Sequence, residues 1–138
     1  MRMPDGRKLR TRPVSRPFHV VLVEPEIPPN TGSVARTCAA TQSPLHLVGP
    51  LGFQIDAHTV RRAGLDYWDL VDLHRHDTFD DFEKSNTSIG LHFFSSSAER
   101  SYLEAGFAPG DALVFGKESV GLPPALLAQH PSLSLIHI

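Results

Sequence analysis

Phe18-His19-Val20-Val21-Leu22-Val23-Glu24-Pro25-Glu26-Ile27-Pro28-Pro29-Asn30-Thr31-Gly32-Ser33-Val34-Ala35-Arg36 decides the fold of this 138-residue chain. Val20 to Val23 form an unbroken β-branched and aliphatic run, the pattern of a strand buried on both faces of a parallel sheet. Pro25, Pro28 and Pro29 end it, because proline has no N–H for a ladder and holds φ near about −65°. Asn30 and Thr31 are residue types that cap helices, and no proline follows until Pro44, so a helix is predicted to begin near Asn30 or Thr31. The unpaired N–H groups of its first turn, with the positive end of the helix dipole, would make a site for an anion or a polar ligand edge. Arg36, about one and a half turns in, can face the same crevice.

Outward from that junction, Leu45-His46-Leu47-Val48-Gly49-Pro50 reads as a second strand with a Gly-Pro stop, which completes a βαβ unit. The crossover should be right-handed, with the helix covering one face of a parallel sheet. Residues 56–66 read as a short helix with a loop at Gly64, and Tyr67 to Leu73, alternating apolar and acidic, as a strand with one exposed face. Thr78 to Lys84, with Phe79 and Phe82 three apart, reads as an amphipathic helix. Ile89 to Ser95 and Ala112 to Phe115 are further buried strands, and Pro123 and Pro124 suit the first turn of a helix through Ala128. Leu133 to Ile138 reads as a last short strand. Trp68, Phe79 and Phe82 follow secondary-structure spacing and are assigned to the core.

The length suits one domain, and 41% hydrophobic with 20% charged residues is ordinary for a globular protein. No apolar run approaches the roughly 20 residues of a membrane span. The single cysteine, Cys38, has no internal disulfide partner and falls on an Ala-rich helix face as a small core residue; a reducing, cytoplasmic location fits. The formal charge of −2 hides an asymmetry: residues 1–16 carry six basic residues against one acidic, while the remainder carries seven against fourteen. Residues 1–17 are therefore read as a basic, disordered arm on an acidic domain spanning 18–138. A solvated tail is the first reading of it, and phosphate contact the alternative.

The second candidate loop is Phe115-Gly116-Lys117-Glu118-Ser119-Val120-Gly121-Leu122-Pro123. Its glycines can let a ligand approach the backbone, although the spacing is neither GxGxxG nor the GxxxxGK[ST] phosphate loop. Together, Glu24 to Gly32 with Arg36, the Arg-Arg-Ala-Gly-Leu-Asp-Tyr stretch at Arg61 to Tyr67, and Phe115 to Pro123 resemble three motifs, in the same order, of the SPOUT superfamily of RNA methyltransferases. The likeness is closest to the branch that 2′-O-methylates the wobble nucleotide of tRNA, and it runs from about His19 to Pro131. It implies a parallel α/β sheet with a C-terminal trefoil knot, S-adenosylmethionine as cofactor, the tRNA anticodon stem-loop as partner, and a homodimer whose active site is completed across the interface. Under the resemblance, Arg36 sits at the reacting ribose and Asn30 helps hold the RNA backbone or cofactor region. Phe94, Gly116, Glu118, Gly121 and Leu135 line the cofactor, with Glu118 fixing its loop.

A fixed arginine suits this chemistry, since a ribose 2′-hydroxyl is a poor nucleophile and a nearby cation lowers its pKa or stabilises developing oxyanion charge. Arg61 and Arg62 are assigned to phosphate contact, with a solvated helix face as the rival reading. The family's Ser-x-Asn-Leu-Ser-Asn-Ala loop does not occur before Ile138, so the knot is expected to be incomplete and the chain to be a truncated form. That leaves two alternatives beside tRNA methylation: a catalytically incompetent RNA-binding module, or a methyltransferase acting on rRNA. No metal is expected. His74-Arg75-His76 has no Cys, Asp or Glu partner at a zinc-motif spacing and reads as a solvated strand end.

Overall fold

The computed structural model describes residues 15–52, 68–130 and 134–137. The predicted helix at 56–66 with Arg61 and Arg62, most of the basic arm, and the side chain of Trp68 lie outside the described residues.

Six strands form one sheet: β1 (His19–Val23), β2 (Leu45–Val48), β3 (Leu73–His76), β4 (Leu91–Ser95), β5 (Ala112–Phe115) and β6 (Leu135–His137). Their order is β3-β2-β1-β5-β4-β6, and every pairing is parallel. Among the described residues three α-helices accompany them: α1 (Pro28–Thr41), α2 (Phe79–Ser85) and α3 (Pro124–Ala128). This is the α/β parallel-sheet class predicted from the sequence.

Alternation along β1 sorts the core into two layers. Leu22, Leu45 and Leu47 pack with Ala35 and Cys38 of α1 on one face. Val21, Val23, Val48, Phe93 and Val114 pack with Phe82 of α2 and with Leu122 and Leu126 on the other. A strand covered on both sides must be apolar throughout, which is why Val21 to Val23 carries no polar residue. Cys38 is 1% exposed, and burial pushes its thiol up to about 12, so it is the inert core residue that its Ala-rich surroundings suggested.

Two boundaries differ from the sequence reading. The helix starts at Pro28 rather than at Asn30 or Thr31, and its N-cap, Ile27, makes no side-chain cap. Prolines at its first two positions have no N–H to leave unpaired, so the helix can begin on them without a polar cap. Residues 68–70 form a 3-10 turn, and the strand predicted from Tyr67 starts only at Leu73. Its partner β2 begins at Leu45, whose amide bonds to Asp72 O (2.9 Å), so residues before Asp72 have no β2 backbone beside them. Val71 and Leu73 instead pack against the α1-side core. α2 agrees with the pattern: Thr78 caps it by accepting from the Asp81 amide (3.1 Å), with Asp80 and Asp81 in its first turn and Lys84 in its last.

His74 and His76 are more than a solvated strand end, because they share the α2-side face with His46. His19 Nδ1 lies 2.9 Å from His46 Nε2, and His46 Nδ1 lies 3.0 Å from His76 Nε2. His74 stacks on His46 at 4.8 Å while bonding Asp72 at 2.9 Å, and Phe82 meets His46 edge-on at 4.9 Å. One ring chain thus crosses three adjacent strands under a phenylalanine lid. A neutral imidazole offers one donor and one acceptor, the pairing that the doubly bonded His46 needs. No group of His, Cys, Asp and Glu able to hold a metal occurs among the described residues.

Burial, then the neighbouring His19, His74 and His76, push the His46 ring down to about 3. The unfolded chain, titrating near about 6.5, takes up this proton first as pH falls. The contribution is therefore fully present above pH about 6.5 and is lost progressively towards pH 3. We expect His46→Leu to make stability less steep in acid by up to about 1.4 kcal/mol per pH unit, measured by urea unfolding between pH 6.5 and 4.5.

Candidate active site

Two connections leave the sheet in opposite directions from neighbouring strands. β1 leads through α1 to β2 on one side, and β5 leads through α3 to β6 on the other. Such a switch point opens a crevice at the carboxyl ends of the strands, where ligands of open α/β sheets bind. The two motif loops meet at this crevice.

The first loop leaves β1 through Glu24, a non-glycine residue at φ +52°, a conformation that costs on the order of 1–2 kcal/mol. It is held there by the Glu24 amide donating to Val48 O (2.8 Å) and by the Glu24 carboxylate beside Lys117 Nζ (3.4 Å). The second loop folds back on itself. Gly121 N donates to Lys117 O (2.8 Å), and a side chain on Gly116 would overlap the Gly121 carbonyl carbon and the Leu122 nitrogen. Gly121 is needed for a different reason: its φ is +77°, with open space where a Cβ would stand.

Carboxylates join the loops in both directions. Glu118 accepts from the amides of Glu26 (3.2 Å) and Ile27 (2.5 Å), immediately ahead of α1. Glu26 Oε1 accepts from the Ser119 amide (3.0 Å) and hydroxyl (2.7 Å). The Ser119 hydroxyl, then its amide, hold the Glu26 carboxyl below its ordinary range.

This arrangement corrects the anion site read from the sequence at the head of the helix. Pro28 and Pro29 contribute no N–H, Asn30 and Thr31 amides turn back to Ile27 O (3.1 and 3.2 Å), and the two preceding amides are taken by Glu118. The anion at the positive end of α1 is the chain's own.

Of the residues named from sequence, Gly116, Glu118 and Gly121 come together in this loop pair, and Phe94 joins them from β4. Phe94 is in register with Phe115 and stacked on it at 4.7 Å, making an aromatic platform at the carboxyl ends of β4 and β5. Beyond Phe94 the chain turns through Ser95 and Ser97, whose hydroxyls lie 2.8 Å apart. Leu135 is in register with Phe93 and packs against the α2-side core. Asn30 and Arg36 are exposed on α1, and Arg36 lies about 13 Å along the axis from Ile27. Thr31, in the first turn of α1, has a buried hydroxyl without a hydrogen-bond partner. Glu24, Glu26, Lys117 and Ser119 stand within the two motifs read from the sequence but had no role assigned there. Separations of more than 90 residues leave no local pattern for them.

Gly116→Ala should cost about 2 kcal/mol or more in urea unfolding, because the clash is with backbone. Gly106→Ala, with nothing within 4 Å of the added carbon, should stay within about 0.5 kcal/mol and serves as control.

Comparison with known proteins agrees with this geometry. Residues 17–138 match the SpoU rRNA Methylase family. The tRNA (cytidine(34)-2′-O)-methyltransferase of Burkholderia pseudomallei is 46% identical over 112 residues, 80% of this chain and 72% of that protein. Its counterpart in an Acidovorax species is 46% identical over 116 residues, 83% of this chain and 72% of that one. A solved structure described as giving insight into the 2-OH methylation of C/U34 on tRNA superposes with a TM-score of 0.80 at 47% identity, covering 89% of this chain and 80% of the other. The SpoU methyltransferase AviRb from Streptomyces viridochromogenes, solved with the cofactor AdoMet, shares the fold at a TM-score of 0.70 and 20% identity over 91% of this chain and 50% of its own. Carrying the family's parallel sheet and matching its profile over nearly its whole length, this chain belongs to the SpoU rRNA methylase family.

Proposed function

We propose that this protein transfers a methyl group from S-adenosylmethionine to the ribose 2′-hydroxyl of nucleotide 34, the wobble position, in the anticodon stem-loop of tRNA. The observation that carries the reading is the joining of two motif loops, from β1 and β5, into one crevice at the switch point of the sheet. The relatives at 46% identity are named for tRNA cytidine 34, which favours tRNA over rRNA as substrate. Such a substrate fits a cytoplasmic location.

The residues present fit an adenosine-bearing cofactor. Phe94 and Phe115 offer an aromatic surface, the turn at Gly116 and Gly121 brings backbone close to the crevice, and the Thr31 hydroxyl is left without a partner nearby. Gly116, Glu118, Gly121, Phe94 and Leu135 are the residues assigned to hold it. S-adenosylmethionine, when bound, supplies an electrophilic methyl group on a sulfonium. Glu118 keeps the start of α1 against the cofactor loop. Asn30 positions the RNA backbone. Arg36 stands beside the 2′-hydroxyl, lowers its pKa and stabilises its developing negative charge. Arg61 and Arg62 are assigned to the phosphates. In-line positioning supplies much of the remaining acceleration.

The distance along α1 supports a homodimer. Arg36, exposed about 13 Å down the helix from the crevice, is better placed to serve a crevice approaching from a second copy than the one above it. A fold of the trefoil-knot type belongs to the same proposal.

Arg36→Ala should lower tRNA methylation at nucleotide 34 by about 100-fold or more, read by mass spectrometry of digested tRNA, with a cooperative urea transition showing that the fold is kept. An unchanged rate would remove Arg36 from the mechanism. Titration calorimetry with S-adenosylmethionine, run beside the mass in solution, should show micromolar binding by a dimer. A monomer that binds no cofactor would overturn the reading for this chain.

A further inference from the structure

Glu26 lies outside the roles assigned so far, yet it makes the return half of the contact between the two crevice loops. Its carboxylate takes both the amide and the hydroxyl of Ser119. Ser119 stands in the turn between Lys117 and Gly121, which are bridged to each other; Lys117 is tied to Glu24 and Glu118 to the head of α1, and Glu26 holds the turn at Ser119, next to its tip. Val120, the next residue, is 76% exposed and gives the tip no packing of its own. At the exposed apolar tip, before a glycine at φ +77°, the bonds from Ser119 to Glu26 are the anchor that adds to those of Lys117 and Glu118 nearer the base.

We propose that Glu26 is a positioning residue for the cofactor: its carboxylate holds the Lys117–Gly121 turn in the conformation that receives S-adenosylmethionine. This rests on the assignment of that turn to the cofactor. Glu26 touches neither cofactor nor ribose and acts through Ser119. Glu118 does the converse task, acting from the second loop on the start of α1, so each loop supplies the carboxylate that orders the other. Charge-assisted bonds to an amide and a hydroxyl are strong enough for their loss to be read in ligand affinity.

The test compares Glu26→Ala, Glu26→Gln, Ser119→Ala and the Glu26→Ala/Ser119→Ala pair in the full chain, using S-adenosylmethionine as the probe in calorimetry. Glu26→Ala is expected to weaken cofactor binding about tenfold while leaving tRNA affinity unchanged, and Glu26→Gln, which keeps an acceptor oxygen, to restore most of it. The pair should bind no more weakly than Glu26→Ala alone, since both substitutions break one contact. Amide exchange of the cofactor-free Glu26→Ala protein should speed up across 117–121 by about tenfold and stay unchanged in β1 and β5. Cofactor affinity within twofold of the parent in Glu26→Ala, or an equal loss of tRNA affinity, overturns the role of Glu26 alone. Absence of binding by the unsubstituted chain overturns the cofactor assignment and this role with it.

Discussion

The start of α1 depends on a carboxylate that arrives from 91 residues away. Ile27 cannot cap a helix, and the two prolines after it cannot donate, so the amides of Glu26 and Ile27 are left for an acceptor, which Glu118 supplies. Glu118 thereby ties the positive end of α1 to the glycine turn of the second loop. The local geometry around it follows from this constraint. Glu24 is forced into a left-handed conformation as the chain leaves β1, and Gly116 loses the space for any side chain where the second loop crosses itself. The one strained residue and the one crowded glycine sit within the same pair of loops.

The far end of the sheet is organised differently. Beneath α2, imidazole rings rather than aliphatic side chains fill one row across β1, β2 and β3, and they satisfy one another in a chain of ring nitrogens. A polar row of this kind, buried at His46, is tolerated because its hydrogen bonds are internal, and it is sensitive because a proton added at His46 breaks the donor–acceptor pairing. The same body thus keeps its acid sensitivity at β2 and its carboxylate-linked loops at the carboxyl ends of β1 and β5.

Much of the fold was legible in the sequence because it is written in short-range patterns. Val20 to Val23, Leu45 to Val48, and Ala112 to Phe115 announce buried parallel strands, and Thr78 with Phe79 and Phe82 announces α2. The start of α1 was misplaced because Asn30 and Thr31 carry the usual cap chemistry, whereas the actual cap comes from Glu118, on another strand's loop. The strand expected from Tyr67 failed because alternation reports exposure and says nothing of whether a neighbouring backbone is there to pair with. At the site, the two loops were legible as motifs, but which atoms join them was not: Glu26 to Ser119 and Glu118 to Ile27 are products of topology. The histidine chain was hidden for the same reason, since His19, His46 and His76 share no spacing that marks them as neighbours.

The strand order has a consequence for synthesis on the ribosome. β3, β2 and β1 lie side by side and can pair as they emerge, but the other edge of β1 is filled by β5, whose partner residue Ala112 follows His19 by roughly 90 residues. At about 5–20 residues per second, one edge of an apolar strand stays open for several seconds, and β4, made earlier than β5, has no place in the sheet until β5 separates it from β1. The nascent chain therefore carries a half-built sheet with a sticky margin, and its most vulnerable interval closes only when the Gly116 loop leaves the exit tunnel and brings Glu118 to the waiting helix.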